Sequence, residues 1–210
     1  MTRTVVHVLR HGEVHNPDGI LYGRLPGYGL SVRGNEMADT IADHVADFDI
    51  TYLASSPLQR ALETAAPIAE RLGLEIHGDD RLLEPTNVFE GSRFGVGDGS
   101  LKRPANWIHL RNPIRPSWGE PYAEVAARML AAVQDARAAA EGHEALLVSH
   151  QLAVWTLRRF LEGRRLWHDP RKRECGLASL TSIAFEGTKL AGITYAEPAG
   201  ATDPNAVPGA

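Results

Sequence analysis

The chain has 210 residues, 43% hydrophobic and 23% charged, with a formal net charge of −4. These values fit one globular domain and exclude collagen-like, low-complexity and largely disordered classes. A domain of this size buries roughly 70% of its unfolded surface and needs no staple.

The single cysteine, Cys175, excludes an intramolecular disulfide and a zinc site built mainly on thiolates. The acidic balance gives no electrostatic footprint for nucleic acid or an anionic membrane. The apolar run at 5–9 is too short for a signal-peptide core, and no stretch approaches the ~20 apolar residues of a membrane span. The expectation is a soluble, cytoplasmic domain over 1–197 with a disordered Ala, Gly and Pro tail over 198–210.

In chain order, Thr4-Val5-Val6-His7-Val8-Leu9 is a β-branched run that delivers Arg10-His11-Gly12 to a loop. Ser31 is an N-cap for a helix carrying Met37, Ile41, Val45 and Phe48. A second strand covers 50–54. Ser56 and Gln59 have the spacing of a capping box, with Pro57 at the first helical position. The helix that follows turns Leu58, Leu62, Ala65, Ala69 and Leu72 inward and ends at Gly73; a third strand spans 74–77.

Residues 85–119 break the rhythm with many Gly and Pro, beside Phe89, Phe94, Trp107 and Trp118. A connection that long reads as a functional lid. A helix runs from Glu120-Pro121 to about Glu141, a strand covers 145–149, and His150 opens a helix through Leu161. Two strands flanking Glu186-Gly187 form a closing hairpin. The alternation predicts a three-layer α/β/α sandwich with a mostly parallel central sheet. Ligands of such sheets bind beyond the carboxyl ends of the strands. Three of those ends carry Arg10-His11, Ser55-Ser56 leading to Arg60, and Ser149-His150.

Arg10-His11-Gly12 alone is a weak motif. The ordered set is far more specific: Leu9-Arg10-His11-Gly12-Glu13 after a strand; Gly23-Arg24-Leu25-Pro26-Gly27, then Leu30-Ser31 and Gly34; Ser55-Ser56-Pro57-Leu58-Gln59-Arg60-Ala61 with Thr64-Ala65; and Val148-Ser149-His150. Together these resemble the histidine phosphatase (phosphoglycerate mutase-like) superfamily over roughly residues 4–195, in a branch with an Arg-His-Gly-Glu motif. The resemblance implies a nucleophile at His11, a partner at His150, and a phosphate pocket completed by Arg10 and Arg60.

The chemistry agrees. A phosphomonoester dianion repels an attacking lone pair, and Arg10 and Arg60 can offer it planar forks. One histidine can attack phosphorus through a neutral ring nitrogen. A second, protonated by anionic surroundings, can donate to an equatorial oxygen. The duller readings are a strand-end histidine that caps a backbone group and an Arg60 that is a solvated helix charge. Arg-supplied charge requires no metal and no cofactor.

The family places its acid in a Leu-x-Glu sequence after the third strand. Leu82-Leu83-Glu84 fits, which makes Glu84 the choice over Glu90, assigned instead to ordering the loop. Asn16 either contacts phosphate or is a loop residue in the contracted Glu13-Val14-His15-Asn16 stretch. Arg24 contacts a substrate anion or pairs with a loop carboxylate. Glu120 orients the pocket's cations. Arg93, Lys102, Arg103, Arg111 and Arg115 suit an anionic small substrate or form a solvated loop. Arg158, Arg159, Arg164, Arg165 and the run at 171–173 decorate a helix end and a loop.

The first expectation is a metal-independent phosphatase acting on a small phosphorylated metabolite through phospho-His11. The alternatives are a phosphoglycerate-type mutase, a phosphoprotein phosphatase, or a catalytically idle phosphate-binding or interaction protein. The lid leaves a homodimer open.

Overall fold

The structure is a computed structural model and describes residues 2–93 and 118–200. β-Branched and aliphatic runs make six strands: β1 (Arg3–Arg10), β2 (Ile50–Ser55), β3 (Ile76–Gly78), β4 (Glu144–Ser149), β5 (Leu180–Glu186) and β6 (Lys189–Ala196). They form one sheet in the order β3-β2-β4-β1-β5-β6. β3, β2, β4 and β1 are parallel; β5 runs antiparallel to β1, and β6 to β5. The mostly parallel sheet and its closing hairpin therefore match the sequence pattern.

Among the described residues four α-helices cover the faces: α1 (Val32–His44), α2 (Gln59–Leu72), α3 (Tyr122–Ala139) and α4 (Gln151–Leu161). On one face Met37 and Ile41 of α1 and Ala61, Ala65 and Ile68 of α2 pack on Leu9, Leu53, Leu146 and Val148. On the other, Val125, Met129 and Val133 of α3 and Val154 and Leu157 of α4 pack on Val6, Val8, Leu147 and Ile183. Each fully buried aliphatic side chain contributes about 1.5–3 kcal/mol of transfer free energy. Among the described residues, no helix is long and apolar enough to cross a membrane.

Several local expectations change. The Ser56–Gln59 capping box does not form: α2 begins at Gln59 after Leu58, with no side-chain cap, and the Gln59 amide donates to Glu63 instead. The inward face of α2 is Arg60, Ala61, Thr64, Ala65 and Ile68, while Leu62 is 38% exposed. Ala65 is buried and Ala69 and Leu72 pack against the core as expected, while the buried stripe also takes in Arg60 and Thr64, which a count of apolar residues misses. α3 starts after Pro121 and ends at Ala139, where Ala140 leaves helical geometry. At the tail, Ala199 packs on the α1/α2 face; residues 201–210 lie outside the described residues, as do Phe94, Lys102, Arg103, Trp107, Arg111 and Arg115 of the lid.

The described flanks of the 85–119 connection are held together. Val88 N–H donates to the Trp118 carbonyl at 2.8 Å and Glu120 N–H to the Thr86 carbonyl at 3.3 Å. Residues 89–92 also bond Leu21 in the loop after β1: Leu21 N–H donates to Ser92 and Gly91 N–H to Leu21.

The loop leaving β1 lies directly on α1. Ser31 caps that helix by accepting from Gly34 N–H, and its hydroxyl donates to Glu13 at 2.7 Å. A methyl group on Gly34 would overlap the Glu13 carbonyl. Helix propensity alone favours alanine at this position by about 1 kcal/mol. The close approach reverses the sign: Gly34→Ala is expected to cost about 1–3 kcal/mol, lowering Tm by roughly 2–4 °C per kcal/mol. Thermal denaturation of the variant checks this, and a higher Tm would contradict the close packing.

Candidate active site

Strand register assembles the site. Arg10 at the end of β1 lies beside Ser149 of β4, and Ser55 of β2 lies beside Val148. The residues that leave these strands, His11, His150 and Ser56, are therefore neighbours, and all three are buried. The His11 and His150 rings lie 5.1 Å apart, centre to centre. Beneath them passes the chain entering β5: Arg10 N–H donates to the Ser179 carbonyl and Ala178 N–H to the His11 carbonyl. Ala178 has φ 51°, a left-handed conformation costing a non-glycine residue about 1–2 kcal/mol.

The tautomer of His11 follows from its partners. Nδ1 lies 2.7 Å from the Gly12 carbonyl, which only accepts, so Nδ1 carries the hydrogen. Nε2 then holds a lone pair and accepts from Arg60 Nε at 3.3 Å. Burial, followed by the charges of Arg60 and Arg10, holds the His11 pKa well below 6.5. His11 is thus a neutral imidazole whose in-plane lone pair is engaged only by the long contact from Arg60.

Two guanidiniums flank it. Arg60, 1% exposed, donates from Nη2 to the Gly23 carbonyl at 2.7 Å and lies 4.6 Å from the centre of the Tyr22 ring. Arg10 donates from Nη1 to the Cys175 carbonyl at 2.8 Å, while its Nε has no partner among the described residues. Neither has a carboxylate in ion-pairing contact among the described residues, as Arg128 does with Glu120. Thr64 links the nucleophile loop to α2 by accepting from Gly12 N–H and donating to the Arg60 carbonyl.

His150 departs from the expectation. Its surroundings are cationic rather than anionic: burial, then Arg60, His11, Arg10 and Arg128, hold its pKa well below 6.5. It is neutral in the free site. Nε2 pairs with the Ser56 hydroxyl at 2.8 Å, which is where the hydroxyl assigned to a helix cap is used. Nδ1 has no partner.

Glu84, 5% exposed, leaves Oε2 unpartnered. Burial raises its pKa, opposed chiefly by Arg60 and Arg173. Its backbone is fixed, since its carbonyl accepts from Arg24 and the Leu82 carbonyl accepts from the Ser149 hydroxyl. Glu90 does not share this setting: its carboxylate accepts from Asn87 N–H and packs on Gly23. A carboxyl that is buried, unpaired and raised in pKa can hold and release a proton.

Other sequence candidates fall outside the cluster. The Asn16 amide closes a loop on Ile20, donating to its carbonyl and accepting from its N–H. Arg24 reaches Glu120 at 3.4 Å, so the carboxylate pairing is realised. Glu120 also chelates Arg128 through both oxygens. Arg93 lies 3.5 Å from Asp18 on the surface. Among the described residues no three His, Cys, Asp or Glu side chains cluster as a metal cage.

The residue that sequence reasoning missed is Arg173. It is not a decorated loop charge: it turns inward and lines a cleft with Glu84, Trp118, Glu120 and Tyr122. Within a run of like charges it carried no distinguishing signal.

The histidine electrostatics have a stability consequence. Below pH 6.5 an unfolded chain protonates His11 and His150 while the folded chain keeps them neutral. The unfolded state then binds more protons, so stability falls as pH drops. Each histidine contributes about 1.4 kcal/mol per pH unit until its folded form titrates. The raised pKa of Glu84 works in the opposite direction, so the test is a difference. In urea denaturation between pH 5.5 and 6.5, where the unfolded imidazole is only partly protonated, His150→Asn is expected to flatten the slope by about 1 kcal/mol per unit; an unchanged slope would contradict a neutral His150.

Comparison with known proteins places this geometry. The family model of the histidine phosphatase superfamily (branch 1) matches residues 6–197. The chain is 58% identical over 196 residues to the uncharacterized protein Rv0525 of Mycobacterium tuberculosis, covering 93% of this chain and 97% of that one. It is 30% identical over 174 residues to the probable phosphoglycerate mutase GpmB of Shigella dysenteriae, covering 80% and 79%. Among solved structures, YhfR of Bacillus stearothermophilus superposes with a TM-score of 0.73 at 26% identity, covering 89% of this chain and 94% of that one. The mycobacterial glucosyl-3-phosphoglycerate phosphatase Rv2419c gives 0.71 at 26%, covering 87% and 90%. With a family match over nearly its whole length and relatives that include phosphatases and mutases, the chain belongs to the histidine phosphatase superfamily.

Proposed function

We propose that the protein is a phosphatase that hydrolyses a small phosphomonoester through a phosphohistidine on His11, without a metal ion. The observation that carries this reading is the unprotonated Nε2 of His11, its tautomer set by the Gly12 carbonyl, beside two guanidiniums without carboxylate partners among the described residues.

A phosphate dianion entering the site meets Arg10 and Arg60 and displaces the long Arg60–His11 contact. Nε2 attacks phosphorus in line; the Nε2–P bond forms as the bond to the ester oxygen breaks. Glu84 gives its proton to the departing oxygen. Water then attacks phosphorus, the Nε2–P bond breaks, and the Glu84 carboxylate takes the water proton. His150 donates from Nδ1 to a phosphoryl oxygen, with the Ser56 hydroxyl donating to Nε2. Preorganised donors of this kind are typically worth ~10²–10³ each in rate. Asn16 and Arg24 act one step removed, Asn16 by closing the loop on Ile20 and Arg24 by holding the Glu84 carbonyl.

A second reading is favoured by the 30% identity to a probable phosphoglycerate mutase. In it, a second alcohol rather than water takes the phosphoryl group. Assay with a bisphosphorylated primer distinguishes the two by whether phosphate appears in solution or on the acceptor.

Two results are expected. Phosphate release from an aryl phosphate should persist in EDTA and fall at least ~10³-fold in His11→Ala, with loss of acid-labile labelling from a ³²P-ester. Turnover that survives in this variant would sink the phosphohistidine route. Glu84→Gln should lower kcat on alkyl phosphates by ~10²–10⁴ but spare nitrophenyl phosphate to within ~10-fold, because a good leaving group needs little protonation. Glu84 must be protonated to act, so the wild-type alkyl-ester rate should fall as pH rises through its elevated pKa, and that limb should vanish in the variant.

A further inference from the structure

On the leaving-group side of the pocket, one cation has no assigned partner. Beyond Arg10 and Arg60, the cleft that contains Glu84 is lined by Thr86, Trp118, Glu120, Tyr122 and Arg173. Its charges do not cancel. Glu120 is already matched by Arg128 and Arg24. Glu84 is the group whose protonated form the chemistry needs. Arg173 has no carboxylate in ion-pairing contact among the described residues, and its Nη2 has no hydrogen-bond partner among them.

Arg173 is nevertheless held in place. The His168 Nδ1 lies 2.7 Å from the Leu166 carbonyl, so Nδ1 carries the hydrogen and Nε2 the lone pair. That lone pair accepts from Arg173 Nε at 2.9 Å. Burial pushes the His168 pKa down to about 4, which keeps the acceptor unprotonated near neutrality. The Tyr122 ring packs on the imidazole at 5.6 Å. Gln151 accepts from Arg173 Nη1 at 3.2 Å, and its own amide donates at 3.4 Å to the Cys175 carbonyl that anchors Arg10. The side chain is thus oriented by neutral acceptors at Nε and Nη1, which leave its charge unneutralised and its Nη2 donors without a partner among the described residues.

We propose that Arg173 is a specificity residue: it binds a second anionic group, carboxylate or phosphate, carried on the leaving portion of the substrate. Whatever leaves past Glu84 occupies the cleft that Arg173 lines, and a permanently charged guanidinium with Nη2 N–H donors to spare matches an anionic oxygen. This inference rests on the phosphatase reading for its placement of the leaving group, but its binding statement is measurable without turnover.

The test uses three esters on one skeleton: propyl phosphate, 3-phosphonooxypropanoate and 1,3-propanediol bisphosphate. For the wild type, kcat/KM for one of the two doubly anionic esters should exceed that for propyl phosphate by ~10²-fold, the scale of a charge-assisted pair. The larger ratio identifies carboxylate or phosphate as the second anion. In Arg173→Met the ratio should collapse toward one, mainly through KM, and Arg173→Lys should restore part of it. Calorimetric binding of the same esters should show the same ordering of Kd. A wild-type ratio near one, or an Arg173→Met variant that loses equally on all three esters, would overturn the proposal. Absence of turnover on every ester with the Kd ordering intact would instead count against the phosphatase reading and leave the anion site standing. Absence of both would overturn this inference as well.

Discussion

The site is organised around an excess of positive charge kept out of water. Arg60 is almost fully enclosed and Arg10 nearly so, with two imidazoles between them and no carboxylate on either guanidinium among the described residues. Burying an unpaired charge is expensive, and proteins ordinarily neutralise it. Here the charge is tolerated because neutral acceptors share it: the Gly23 and Cys175 carbonyls and the face of Tyr22. Burial, reinforced by the same field, keeps both histidines neutral, and it is the field a dianion would meet. One arrangement therefore supplies affinity for an anion and an available lone pair on His11.

Backbone geometry maintains that arrangement. Parallel register aligns the ends of β1, β4 and β2, so that His11, His150 and Ser56 leave the sheet together. The entry to β5 then passes under His11 and fixes it from below, at the cost of a left-handed Ala178. Above, the loop after β1 is seated on the first turn of α1 through Ser31 and Gly34. The rigidity of the nucleophile comes from packed main chain on both sides rather than from one side-chain contact.

The α/β alternation and strand-end chemistry were readable because periodicity and Gly or Ser-Pro punctuation act locally. His11, His150, Arg10, Arg60 and Glu84 stood at the ends of recognisable elements, and the structure gathers them. What could not be read depended on distant segments. Ser56 and Gln59 have capping-box spacing, but the hydroxyl is claimed by His150, ninety-odd positions away. The charge state of His150 is set by its burial and then by Arg60, His11, Arg10 and Arg128, which meet only after folding. Arg173 looks like its neighbours in a basic run; only the contacts with His168 and Gln151 separate it from Arg171, which pairs on the surface with Asp169. The exposed Leu62 has the same origin, because Arg60 and Thr64 sit on the inner face of α2 where a hydrophobic count expects none.

The position of β1 in the sheet also sets an order of events for a chain emerging from the ribosome. Val5 pairs with Glu144 on one side, and Arg3 pairs with Glu186 on the other. β1 is thus synthesised well before both of its neighbours, and it waits with Val6, Val8 and Leu9 uncovered. Pairings between such remote segments slow folding, and an apolar strand left waiting invites association with other chains. The His11–His150 pair cannot exist in a nascent chain that ends before β4, so no such fragment can carry the assembled centre.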